Sequence, residues 1–99
     1  METQKRTFII DKNSIEADIE PYSLKKALKI EVEKKGKIFS FYNEDLNITS
    51  IGYSKSESRE NFIKFLKDDY LSYMSTPDAK LSNGAKKVKL KYRSYIKAL

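Results

Sequence analysis

Residues 28–42 read Leu-Lys-Ile-Glu-Val-Glu-Lys-Lys-Gly-Lys-Ile-Phe-Ser-Phe-Tyr, and this stretch decides the fold. Leu28, Ile30 and Val32 alternate with Lys29, Glu31 and Glu33, the period-two pattern of a strand with one face on a core and one in water. Lys34-Lys35-Gly36-Lys37 makes the turn, where Gly36 supplies the positive φ that a tight hairpin requires. In the return strand, Ile38-Phe39-Ser40-Phe41-Tyr42, Phe39 and Phe41 fall on one face and Ile38 and Tyr42 on the other. After the polar break Asn43-Glu44-Asp45, the segment Leu46 to Tyr53 reads as a third strand, with Gly52 near its end as a bulge or close-approach site. Residues 27 to 53 therefore predict a three-stranded antiparallel meander.

Downstream of the meander the period changes from two to 3.6. Ser54-Lys55-Ser56-Glu57 fits a capping box, in which the Ser hydroxyl accepts from the backbone N–H three residues on and Glu57 reaches back to the cap. Phe62, Ile63, Phe65, Leu66, Tyr70, Tyr73 and Met74 then follow steps of three and four, an apolar stripe on a helix from about 55 to 74. Thr76-Pro77-Asp78 stops that helix. Ser82 can cap a second helix, 82–97, with Ala85, Val88, Tyr92, Tyr95, Ile96 and Leu99 at helical spacing and Leu90 off the pattern.

Upstream, Thr7 to Asp11 has the composition of a short strand, Asp11-Lys12-Asn13-Ser14 has turn chemistry, and Ile15, Ala17 and Ile19 alternate. Residues 7–19 thus predict an N-terminal hairpin, closed by Pro21, with Tyr22 to Lys26 as a connection or a single helical turn. The whole predicts one α+β domain over 1–99: an antiparallel sheet of about four to five strands, an amphipathic helix packed on it, and a basic C-terminal helix.

Composition narrows the chemistry. Ninety-nine residues with no Cys and no His leave no disulfides, no thiolate or imidazole metal site, no Ser-His-Asp triad and no Cys nucleophile. With only three glycines there is no Gly-rich phosphate loop, and no nucleophile-elbow motif occurs. The apolar run Phe8-Ile9-Ile10 is too short for a secretory signal, and no stretch is long enough to span a membrane, so the expected setting is the cytoplasm.

The net charge of +6 is unevenly placed. Residues 79–99 carry seven Lys/Arg and no acid, so the remaining residues, with 13 basic and 14 acidic side chains, sum to −1. Lys86, Lys87, Lys89, Lys91, Arg93 and Lys97 are therefore candidate nucleic-acid contacts within residues 80–97, interleaved with Tyr92 and Tyr95. Burial of those two tyrosines on the helix stripe is the simpler account of them. The most conspicuous acidic pair is Glu44-Asp45. Such carboxylates could ligate magnesium, but adjacent residues at a strand end point in opposite directions, and the plainer reading is a solvated turn. No cofactor, no metal and no enzymatic activity are expected.

The order strand Leu28-Lys29-Ile30-Glu31-Val32-Glu33, turn Gly36, strand Ile38-Phe39-Ser40-Phe41, loop Glu44-Asp45-Leu46, then Ile51-Gly52-Tyr53-Ser54 and the helix from Ser56-Glu57 through Leu71 resembles the HicB-type antitoxin domain. This resemblance covers residues 28–74. It implies a partial ribonuclease-H-like fold without that enzyme's catalytic carboxylates, homodimers, and binding in place of catalysis: neutralisation of a toxin-like partner protein by direct contact. Against a basic ribonuclease partner, Glu44 and Asp45 are the contact it implies. The alternative reading is a small nucleic-acid-binding protein that uses the basic C-terminal helix.

Overall fold

In the computed structural model, which describes residues 3–10 and 19–98, the chain is α+β. Strands β1 (Thr3–Ile10), β3 (Leu28–Lys35), β4 (Ile38–Asn43) and β5 (Ile48–Gly52) form an antiparallel sheet in the order β1-β3-β4-β5. Helix α1 (Lys55–Ser75) packs on β4 and β5. A 3-10 turn (Asp78–Lys80) leads to helix α2 (Asn83–Tyr95). Two short strands, β2 (Tyr22–Leu24) and β6 (Ile96–Ala98), pair as a separate antiparallel ribbon.

The meander forms as the alternation predicts. Leu28, Ile30 and Val32 are buried in β3, and Val32 lies opposite Phe41, which lies opposite Ser50. Lys35 pairs with Ile38, so the turn is two residues long and Gly36 takes a φ of 63°. That conformation is cheap only for glycine. The third strand starts at Ile48, two residues later than the sequence predicts. Leu46 is instead buried in the loop, its N–H donating to Asn43 Oδ1 at 2.8 Å, while Asn47 turns the chain with a φ of 53°. Asn43, itself buried, also donates through Nδ2 to the Lys29 carbonyl at 2.8 Å and so fixes the loop to β3.

Of the expected N-terminal hairpin, the first strand forms and is longer than the sequence predicts. β1 lies antiparallel beside β3, with Phe8 across from Ile30 and Ile10 across from Leu28. The turn at 11–14 and residues 15–18 of the expected hairpin lie outside the described residues, and Ile19 sits buried in a turn. Tyr22–Leu24, expected as a connection or helical turn, is a strand paired with β6, Leu24 against Ile96. Both of those side chains are buried, which explains a pairing that three residues of local propensity do not announce.

α1 begins as its capping residues predict, Ser54 Oγ accepting from Glu57 N–H at 3.0 Å. Glu57 reaches back to the N–H of Tyr53, one residue before the cap. The buried face is Ser58, Phe62, Ile63, Leu66 and Tyr70, with Tyr73 and Met74 half-buried. Phe65, expected on the stripe, is 48% exposed. Gly52 is a close-approach site: Ser50 Oγ donates to the Ser58 carbonyl at 2.8 Å, drawing the end of β5 under the first turn of α1. Ser82 Oγ caps α2 at Ala85 N–H. This helix ends at Tyr95, two residues earlier than expected, because Ile96–Ala98 leave it to pair with β2. Tyr70 and Tyr73 of α1 pack against Tyr92 of α2, and Tyr70 meets Tyr22 of β2 edge-on at 4.9 Å. Such aromatic pairs are worth about 0.5–1.5 kcal/mol each beyond the area they bury.

Candidate functional site

The two groups of candidate residues lie on opposite sides of one joint. Glu44 and Asp45 open the four-residue loop after β4, both exposed, and share a shallow depression with Lys29, Glu31 and Asn43. Asp45 is already engaged: its Oδ2 accepts from the Tyr95 hydroxyl at the end of α2. The Lys26 ammonium sits 4.2 Å from the centre of the Tyr95 ring. The acidic loop is therefore held in place by the basic helix, and Glu44 is left as its outward carboxylate. Among the described residues no group of three or more acidic side chains could hold a metal ion.

The basic group separates into two kinds of residue. Lys89 is buried, and its Nζ donates to the Thr76 carbonyl and to Asp78 Oδ1, both at 2.8 Å. It is a structural cation that fastens α2 to the end of α1, and it does not offer its charge to a partner. Asp78 responds: its hydrogen bond to Lys89, then the charge of Lys89, hold its carboxyl below the ordinary range, with Arg93 and Lys86 contributing. Lys86, Lys87, Lys91, Arg93 and Lys97 are exposed. The interleaved rings are not. Tyr92 and Tyr95 are buried, and the Tyr92 hydroxyl donates to Asp69 of α1.

Each tyrosine hydroxyl that faces an acid is harder to ionise. Burial, then the hydrogen bond to Asp69, pushes Tyr92 far up. Burial and the Asp69 charge raise Tyr73. The hydrogen bond to Asp45, then burial, pushes Tyr95 up to about 12. Because the Tyr95 value rises above its ordinary 10.0 on folding, its contribution to stability is complete below pH 10 and disappears as the pH climbs through about 12. Titrating the phenolate absorbance of the native chain against the chain in urea is expected to show this lag, and Tyr95→Phe to remove one tyrosine's share of it. Unchanged lag in Tyr95→Phe would show that Asp45 does not hold this hydroxyl.

What the sequence does not announce is the surface opposite α1. There β4 and β5 present Ile38, Ile51 and, just beyond β5, Tyr53, which are 43%, 60% and 75% exposed and close around a depression shared with Gly52 and Glu57. Ile9 of β1, across from Lys29, is also exposed on this face. The alternation of the return strand sets Ile38 and Tyr42 on the face opposite Phe39 and Phe41, but nothing local places Ile51 and Tyr53 beside Ile38. No helix in the described residues is long and apolar enough to cross a membrane. Compared with protein-family models, with curated proteins and with solved structures, the chain matches none of them.

Proposed function

We propose that this chain is a non-enzymatic binding protein that neutralises a partner protein by direct contact, as its resemblance to the HicB-type antitoxin domain implies, and that it does so on the open face of the four-stranded sheet. The observation that carries this reading is the cluster of Ile38, Ile51 and Tyr53 on a face that α1 leaves uncovered. Exposed apolar clusters on a small domain mark interaction surfaces, and tyrosine is favoured there because it adds a large, stiff contact area. The Glu44-Asp45 loop follows the far end of β4 from Ile38, while Lys35 and Lys37 border Ile38 itself, so the partner that fits runs along the strand from an apolar contact to basic side chains at the loop. A ribonuclease toxin, basic in order to hold RNA, has that chemistry, and the setting is then cytoplasmic. The homodimer belongs to the same proposal and is read by light scattering of the free chain.

The test uses the full chain as bait in its own cells. A stoichiometric basic protein is expected, with an RNA-cleaving activity that the added chain suppresses. Ile51→Asp combined with Tyr53→Ser is expected to abolish capture, and Glu44→Arg to weaken it, each with unchanged circular dichroism. Absence of a stoichiometric partner, or capture indifferent to these substitutions, overturns the reading.

A further inference from the structure

We infer that α2 is a groove-binding element for duplex DNA that grips the phosphate backbone from both flanks of the helix and reads little base sequence. Lys86 and Arg93, two turns apart, lie on one flank of its exposed side, and Lys87 and Lys91, one turn apart, on the other. Between these flanks runs a ridge with Leu90, 62% exposed, and Ser94, neither of them a charged group. A helix about 10–12 Å across matches the roughly 12 Å major groove of B-DNA, so cations on its two flanks meet the two phosphate rows that border the groove.

The acids near α2 are spent on its inner side. Asp69 accepts from Tyr92, Asp45 from Tyr95, and Asp78 from Lys89. Asp78 is also the carboxylate that lies within the fields of Lys86 and Arg93, so the Lys87–Lys91 flank is the more open of the two. At the C-terminal end the cationic surface extends past the helix. Lys97 lies exposed in β6, and Lys25 Nζ donates to the Arg93 carbonyl at 2.7 Å.

Three features select duplex DNA over other anions. Single-strand binding draws on exposed rings for stacking, and Tyr92 and Tyr95 are buried. An anionic membrane needs an apolar face to insert, and the apolar face of α2 is already packed on the body, leaving Leu90 alone outside. The deep, narrow major groove of A-form RNA does not admit a helix.

The test measures fluorescence anisotropy of the full chain with a duplex of about two helical turns, the matching single strand, and vesicles containing phosphatidylserine. Four phosphate contacts give a salt slope near −3.6, so duplex affinity is expected to fall about 150-fold between about 50 and about 200 mM salt. Lys87→Gln with Lys91→Gln is expected to weaken duplex binding at least tenfold at low salt and to reduce the slope by about two. Lys55→Gln with Lys64→Gln, exposed on α1, serves as the control and is expected to change neither. No duplex binding at low salt, a flat salt dependence, an equal loss in the control, or preference for the single strand or the vesicles overturns the inference. These substitutions leave the open sheet face intact, so protein capture and DNA binding fail separately.

Discussion

Phe62→Ala is expected to lower the unfolding free energy by about 3–5 kcal/mol, the range for deleting a fully buried phenylalanine. Phe62 has no exposed surface, sits midway along the buried face of α1, and its ring lies 6.4 Å from that of Phe41 in β4. Removing it leaves a cavity between the helix and the sheet at the centre of the meander. For a domain of this size, whose whole stability is of the order of 5–15 kcal/mol, that loss is a large fraction of the total. The sharper comparison is Phe65→Ala on the same helix. Phe65 is 48% exposed, and its truncation is expected to cost less than about 1 kcal/mol, in the range of surface substitutions. Urea unfolding of both variants by circular dichroism checks the pair, and equal losses would mean that α1 is rotated relative to the arrangement described.

Gly52→Ala is expected to destabilise by about 1–3 kcal/mol through over-packing, although it adds one methyl group. A Cβ at Gly52 would lie 2.6 Å from the backbone nitrogen of Ser58 and 3.0 Å from its Cα. Those are backbone atoms in the first turn of α1 and cannot rotate away as a side chain would. To admit the methyl, the helix start must lift from β5, which also strains the Ser50–Ser58 hydrogen bond and the bond from Asn61 Nδ2 to the Ile51 carbonyl. The same substitution at Gly84 meets nothing within 4 Å and lies inside α2, where alanine is the better helix former, so Gly84→Ala is expected to stabilise by up to about 1 kcal/mol. Opposite signs for one chemical change at two glycines is the measurable outcome, read from urea midpoints. Loss of stability in both, or in neither, would contradict the close approach of β5 and α1.

The two short strands and the fate of the basic residues show where local reading stops. Tyr22–Leu24 and Ile96–Ala98 are separated by most of the chain, and their pairing is stabilised by burying Leu24 against Ile96. No periodicity over three residues carries that information. Lys89 belongs by spacing to the wet flank of α2, together with Lys86 and Arg93. Only the approach of Asp78 and the Thr76 carbonyl, which terminate the preceding helix, turns it into a buried tether. Asp45 belongs by composition to a solvated turn, and becomes a partner of Tyr95 because α2 ends beside the β4–β5 loop.

The residues by themselves determined the α+β class, the meander from β3 to β5, the caps of both helices, and the concentration of positive charge in the last twenty-one residues. Each of these is a local property: side-chain periodicity, a glycine with positive φ, a serine hydroxyl within reach of its own helix. Tertiary structure alone decided that β1 lies beside β3, that Phe65 and not Ser58 faces solvent, that Lys89, Tyr92 and Tyr95 are withdrawn from the basic surface, and that Ile38, Ile51 and Tyr53 meet on one open face. The physical reason is the same in every case. Whether a side chain is a contact or a surface depends on what packs against it from distant sequence, and the free energy of that burial outweighs the weak local preference of the residue itself.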